Sequence, residues 1–396
     1  GIVVMENIMY GNTVSTVIKE TLKQEITSYI DKGLRKPTLA ILLVGHDDGS
    51  ISYVKSITKG CDGVGIDVKL VTFADVPDHY TVSDKVTRLR LSENTNKFFK
   101  LISIFLYFIR VQTDVVISFG QRENLLVLFP LIFRKKINVI AGERNFTSGK
   151  PSRIELVLLK ILYKRANTIV CNSYSQHQHI CSMQPSLSSK CRVITNYTDP
   201  ELYKFSPVPN NEIIRIGVFC RFEPQKNCLR FLEAIYKVIQ QTDKPFIVDW
   251  YGNQSFNNDL LKDYFKSVKM RLAQLGLNNN VILHTAVSSV NELLPVFDAI
   301  ALPSLYEGFS NSISEAICSG RPMLVSNVSD NPILVHDGEN GFLFNPNDVN
   351  SIASTIIRFL SMSPEQRSLM GEKSREIAQN LFDKNDFINK YISLMR

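Results

Sequence analysis

Short apolar runs alternate with stretches of helical period along almost the whole chain, and this alternation limits the fold more than any other feature. Residues 38–44, 67–73, 114–118, 138–141, 168–171 and 192–195 form one series of expected strands, and 213–219, 246–251, 281–284, 299–303, 322–325 and 341–344 form a second. Strands alternating with helices build parallel sheets, whose ligands bind at the carboxyl ends of the strands. Two such series predict an α/β protein of two facing, doubly wound, Rossmann-like domains. A polar, Pro/Asn-rich stretch at 205–211 lies between them. The expected division is an N-terminal domain over 1–203, a C-terminal domain over 204–375, and a last helix over 376–396 packing back towards the first. A length of 396 residues suits two domains of ordinary size.

With 44% apolar and 21% charged residues the composition excludes a disordered or fibrous chain. Residues 1–203 carry 26 Lys and Arg against 18 Asp and Glu, whereas the remainder carries 19 against 20. The excess positive charge therefore belongs to the first half. A basic face can meet an anionic substrate, an anionic membrane surface or nucleic acid, or be simply solvated. No basic motif interleaved with aromatics appears, which argues against nucleic acid. The seven cysteines show no Cys-x-x-Cys spacing, and Cys171, Cys181 and Cys191, ten residues apart, match no metal pattern. The odd count and the lack of a leader pattern point to a reducing, cytoplasmic setting. The apolar run 101–109 is far shorter than the ~20 residues that span a bilayer, so it reads as a buried or membrane-touching helix. Arg134-Lys135-Lys136, beside the apolar 125–133, fits docking on the inner face of an anionic membrane. It fits equally a core helix closed by C-terminal cations.

The chemistry concentrates in the second half. Tyr306-Glu307-Gly308-Phe309-Ser310-Asn311 follows an expected strand, and Ser310 or Asn311 can cap a helix that ends with Gly320 in the left-handed position. The free N–H groups and positive dipole at that helix start suit a diphosphate. Glu307 precedes the helix and can accept from sugar hydroxyls, while Glu315, just over a turn inside, can hold both hydroxyls of a ribose. On spacing alone, both also read as surface glutamates at a helix start. A second loop, following the first strand of this domain, carries Arg221 and Lys226, which can make charge-assisted bonds to phosphate oxygens. Together the two loops read as a phosphate-plus-ribose pocket on one sheet edge.

These residues resemble the family 4 glycosyltransferases, retaining enzymes of the GT-B fold. The marks are Gly217, Arg221, Lys226 and Asn227, then Leu302-Pro303-Ser304-Leu305-Tyr306-Glu307-Gly308-Phe309 with Glu315-Ala316. Gly320-Arg321-Pro322 and Asp337-Gly338-Glu339-Asn340-Gly341 complete the pattern. The resemblance covers about residues 67–396 and is densest from 205 to 380. It implies that Arg221 and Lys226 bind the donor diphosphate and that Glu307 contacts the donor sugar and Glu315 the ribose. Gly308, Phe309, Ser310 and Asn311 would complete the donor site, with the 327–333 loop near the transferred sugar. Thr113–Ser118 and Ala141-Gly142-Glu143-Arg144-Asn145 fit the family's middle acceptor-domain strands, and 165–173 and 193–199 its last ones. Arg144 and Asn145 are candidate acceptor-side residues. They stand where many relatives carry a histidine, and a guanidinium there could hold or stabilise a phosphate.

The beginning of the chain is different. Val44-Gly45, Asp47, Ser50, Tyr53-Val54, Lys59 and Gly65-Ile66 resemble the amino-terminal end of the methylenetetrahydrofolate dehydrogenase/cyclohydrolases. Four residues after the tyrosine, where that family has its catalytic lysine, stands Ile57, which cannot relay a proton. Residues 1–73 therefore read as a structural unit joined near 67–74, with Gly45 and Gly49 able to supply N–H groups to an anion.

The expectation is transfer of a hexosyl group from a nucleoside diphosphate sugar to a glycan or lipid-linked acceptor hydroxyl, with retention, in cell-surface polysaccharide or glycolipid synthesis. The resemblance implies no metal and no cofactor beyond the donor, and no Asp-x-Asp triplet is present. Two other readings use the same pocket: a sugar-nucleotide-binding pseudoenzyme with an impaired N-terminal domain, and a GT-B sugar-nucleotide epimerase.

Overall fold

The computed structural model describes residues 20, 23–24, 26–28, 30–33, 36, 38–43, 65, 67–72, 87–90, 97–143, 153–256, 258–287 and 289–395. These form two compact units, one of 1–195 with 383–396, the other of 196–382. Each is built on a parallel sheet, as the alternating pattern requires.

In the first unit the strands are β1 (Thr38–Leu43), β2 (Asp67–Thr72), β3 (Thr87–Arg90), β4 (Val115–Phe119), β5 (Asn138–Glu143), β6 (Thr168–Cys171) and β7 (Cys191–Val193). Their order is β3-β2-β1-β4-β5-β6-β7, all parallel. Every side chain of β4 is buried, as expected of a parallel strand covered on both faces. The strand β3 has no counterpart in the apolar pattern. Its sequence, Thr-Arg-Leu-Arg, is that of a short charged edge strand, which sequence patterning marks weakly. The run 101–109 lies in the helix Lys97–Arg110, where Ile104 and Phe108 enter the core.

The second unit carries β8 (Ile214–Phe219), β9 (Phe246–Tyr251), β10 (Val281–His284), β11 (Ala299–Leu302), β12 (Met323–Ser326) and β13 (Gly341–Phe344). Their order is β10-β9-β8-β11-β12-β13. The chain winds outwards from β8 in one direction and from β11 in the other, so the topological switch point lies between these two strands. Ligands of open α/β sheets bind in the crevice at that point.

The Pro/Asn-rich stretch 205–211 lies within the second unit, pinned by the fully buried Arg321. Its guanidinium donates to the carbonyls of Ser206, Pro207 (3.0 Å), Phe297 (2.9 Å) and Ser319 (3.2 Å). Burial pulls its pKa down to about 10, although the nearby Asp298 carboxylate opposes the shift. The last helix, Lys384–Met395, belongs to the first unit, where Asn138 Nδ2 donates to the carbonyl of Leu394 at 2.7 Å.

Candidate functional site

Three loops of the second unit converge at the switch point. The first follows β8, turns through a short 3₁₀ segment, Pro224–Lys226, and enters the helix Cys228–Gln241. The second follows β11 and enters the helix Asn311–Cys318. The third follows β12. Backbone and side chain tie the first two together: Leu305 N–H donates to the carbonyl of Gln225 at 2.8 Å, and Gln225 Nε2 donates to the carbonyl of Tyr306 at 2.9 Å. The third is tied in through the N–H of Glu307, which donates to Ser329 Oγ at 3.2 Å, with Ser329 itself at φ +50°.

At the centre Lys226 Nζ donates to Glu307 Oε1 at 2.5 Å. The two side chains are only 12% and 10% exposed, so this is a largely desolvated ion pair. A buried pair gives little net stability, but removal of either partner strands the other charge. Behind it the Cys220 thiol is pushed up to about 12, chiefly by burial, although Lys226 pulls the other way. That sulfur is an inert neighbour rather than a nucleophile.

Asn227 leaves the turn in the left-handed region (φ 57°), and its Nδ2 donates to the carbonyl of Pro346 at 2.8 Å. Arg221 lies on the same loop with its side chain 66% exposed, in a 3.2 Å pair with Glu223. An exposed pair of this kind is weak, so Arg221 can move to another anion at little cost.

The helix Asn311–Cys318 starts as its sequence predicts. The hydroxyl of Ser310 accepts from Ile313 N–H, and Ser312 Oγ donates to the carbonyl of Phe219 at 2.9 Å, anchoring the first turn to the end of β8. The helix stops at Gly320, φ +75°, where Arg321 N–H donates to the carbonyl of Ala316 and Gly320 N–H to that of Ile317. That is the Schellman pattern. The amides of its first turn have no intrahelical acceptor, and they stand where the positive end of the helix dipole lies.

Of the expected donor residues, Lys226, Glu307, Gly308, Ser310 and Asn311 are thus gathered at one sheet edge. Glu315 is half-buried in the second turn of the same helix. Phe309 is different: its ring is 4% exposed, belongs to the core and meets Phe382 edge-on at 6.3 Å. Its ring is therefore withdrawn from the site, and only its backbone could meet a ligand there. Of the supporting residues, Ser329 lies in the 327–333 loop and Asn196 in the 193–199 stretch that the resemblance marks, whereas Gln225 was given no role by the sequence. Asn196 Nδ2 donates to the carbonyl of Phe309 at 3.1 Å and to Asn311 Oδ1 at 2.6 Å across more than a hundred residues of sequence.

The first unit holds a buried polar cluster at the end of β5. Asn124 Nδ2 donates to Glu143 Oε1 (3.0 Å) and Tyr163 Oη (3.1 Å), and Ser118 Oγ donates to Asn124 Oδ1 (2.6 Å). Gln176 Nε2 reaches Glu143 Oε2 at 3.4 Å. Burial drives the Glu143 carboxyl up to about 8, against the Asn124 hydrogen bond. The candidate acceptor-side residues Arg144 and Asn145, and the stretch holding Gly45, Gly49, Ile57 and Lys59, lie outside the described residues. Among the described residues no cluster of histidine, cysteine, aspartate and glutamate is arranged to hold a metal ion.

Two parallel, doubly wound sheets are the elements of the GT-B fold, which solved structures similar to this chain share. The structure of the Anabaena protein Alr3699/HepE in complex with UDP-glucose superposes with a TM-score of 0.74 over 90% of this chain and 99% of that one, at 19% identity. The segment 213–362 matches the family model of the glycosyl transferases group 1, and residues 9–98 match that of the tetrahydrofolate dehydrogenase/cyclohydrolase catalytic domain. The UDP-Gal:alpha-D-GlcNAc-diphosphoundecaprenol alpha-1,3-galactosyltransferase of Escherichia coli is 31% identical over 233 residues, 54% of this chain and 57% of that enzyme. This chain thus spans just over half the length of that curated relative. The bifunctional protein FolD of Mycoplasma capricolum is 40% identical over 82 residues, 21% of this chain and 29% of FolD.

Proposed function

We propose that this chain is a retaining hexosyltransferase that takes its sugar from a nucleoside diphosphate donor held at the β8–β11 switch point. The observation that carries the reading is the Lys226–Glu307 pair, desolvated at the sheet edge beside the start of a helix. In this reading Lys226, Arg221 and the first-turn amides take the diphosphate, so its charge is met without a metal ion. Glu307 accepts hydrogen bonds from the sugar hydroxyls, and Glu315 holds the ribose. Uridine is the proposed base, because the Escherichia coli relative is named for UDP-Gal and the Anabaena structure contains UDP-glucose.

The acceptor oxygen forms its bond to C1 on the face from which the diphosphate leaves. The bond from C1 to the phosphate oxygen breaks, and the acceptor proton passes to that departing oxygen. Configuration is thereby retained. A glycan or lipid-linked acceptor is proposed, in keeping with the diphosphoundecaprenol-linked acceptor in the relative's name.

The test is transfer from UDP-hexoses to lipid-linked and free glycans by the chain and by Glu307→Gln. The fluorescence of Trp250, the only tryptophan and a fully buried one, shows whether the second unit stays folded. Turnover should fall at least a hundredfold in a folded variant. Near-normal transfer would remove Glu307 from the site. One observation favours a second reading: the match of residues 9–98 to a folate enzyme supports a donor-binding protein without turnover. UDP-sugar binding with no transfer to any acceptor would select it.

A further inference from the structure

Glu307 is aimed by more than its own loop. The peptide group between Tyr306 and Glu307 is gripped at both ends. Its carbonyl accepts from Gln225 Nε2 at 2.9 Å, and its N–H donates to Ser329 Oγ at 3.2 Å. A peptide group is planar, so fixing its C=O and its N–H fixes the plane. That plane in turn sets the direction in which the Glu307 side chain leaves the main chain, towards Lys226 Nζ. The two grips come from different loops, one after β8 and one after β12.

Ser329 makes its contact from a costly conformation. Among the described residues the non-glycine residues at positive φ are Asn227 (+57°) and Ser329 (+50°), and both stand on loops of the donor site. Asparagine enters the left-handed region more readily than serine, and glycine would make the same turn with no steric cost. Ser329 is also exposed, so burial of its side chain does not explain its presence there. What serine has and glycine lacks is the hydroxyl that receives the Glu307 N–H. The surrounding turn holds the strained residue in place. Val328 N–H donates to the carbonyl of Ser326 (2.9 Å), Asn331 N–H to that of Val328 (3.1 Å), and the fully buried Asn331 also donates through Nδ2 to the carbonyl of Ser326 (2.9 Å). Strain that persists because its surroundings impose it gathers at functional sites.

We propose that Ser329 is a positioning residue for glycosyl transfer, holding the Tyr306–Glu307 peptide plane against Gln225 so that the Glu307 carboxylate meets the donor hexose. The inference rests on the donor reading of Glu307 and adds to it the residue that orients the carboxylate. Without the Ser329 hydroxyl the plane is held at one end only. The hexose is then less well oriented for transfer, whereas the diphosphate keeps Lys226, Arg221 and the helix start.

The test compares Ser329→Gly and Ser329→Thr with the wild type in UDP-hexose turnover, UDP affinity and melting followed by Trp250 fluorescence. Ser329→Gly removes the hydroxyl and relieves the backbone. Its melting temperature should equal or exceed that of the wild type while kcat falls about tenfold or more. Ser329→Thr keeps the hydroxyl but puts a β-branched residue at positive φ, so it should melt earlier and yet retain most of the turnover. Stability and turnover thus move in opposite directions, which a purely structural role would not produce. UDP affinity should be unchanged in both variants. Wild-type turnover in Ser329→Gly, or equal losses in the two folded variants, overturns the inference and leaves the donor reading in place. A wild-type chain that neither binds UDP nor turns over a UDP-hexose overturns the donor reading, and the inference falls with it.

Discussion

At the scale of single residues, Glu143 and Arg321, both buried and both outside the donor loops, bear on stability in different ways. Glu143 has a carboxyl near 8 in the folded chain against 4.5 in an exposed one, because burial penalises its anion. Folding therefore takes up a proton between these values. The stability this provides is complete below about pH 4.5 and is lost as pH rises towards 8. Glu143→Gln keeps an acceptor for Asn124 and removes the titration. Chemical denaturation at pH 5 and pH 8 should show the wild type losing stability relative to this variant, by on the order of a few kcal/mol across the window. Equal pH dependence of the two proteins would show that the carboxyl is not held protonated. Arg321 is a structural clamp whose removal leaves the carbonyls of Ser206, Pro207 and Phe297 without its donors, while that of Ser319 keeps the N–H of Ser206. Arg321→Met should cost roughly 3–5 kcal/mol, comparable to breaking a buried charged network. The Trp250 fluorescence transition measures it, and a loss below 1 kcal/mol would mean that those carbonyls find other partners.

At the scale of elements, the helix Asn311–Cys318 has both ends fixed by local chemistry. Ser310→Ala removes the cap and should lower the stability of the second unit by about 1 kcal/mol. Fluorescence melts check this, and no change would mean that Asn311 replaces the cap. This helix was legible in the sequence because its signals are local: a serine ahead of the apolar period and a glycine two positions past the end. The second-unit strands were legible because parallel strands buried on both faces read as apolar runs. The edge strand β3 was not, since only one of its four residues is apolar. Within the site, the sequence placed Lys226 and Glu307 in one pocket but could not show them paired, because that contact depends on two distant loops being tied through Gln225 and Tyr306. It also could not show that the Phe309 ring turns into the core, or that Arg134 is consumed by the carbonyls of Ile109 and Val111. Those outcomes are tertiary.

At the scale of the whole molecule, the second unit holds a continuous core and the three-loop site, while the first combines a parallel sheet with the buried polar cluster around Glu143. Donor binding is proposed for the second unit. Binding of UDP to the native state should raise the melting temperature of the unit that contains Trp250, by an amount that grows with the logarithm of UDP concentration. Isothermal titration of UDP and UDP-hexoses against the full chain and its Lys226→Ala variant tests the central claim most directly. The account predicts saturable binding by the full chain and an affinity roughly tenfold to a hundredfold weaker in the variant, the loss of one charge-assisted contact to phosphate. Equal affinity in the two proteins, or no binding of either nucleotide by the full chain, would contradict it.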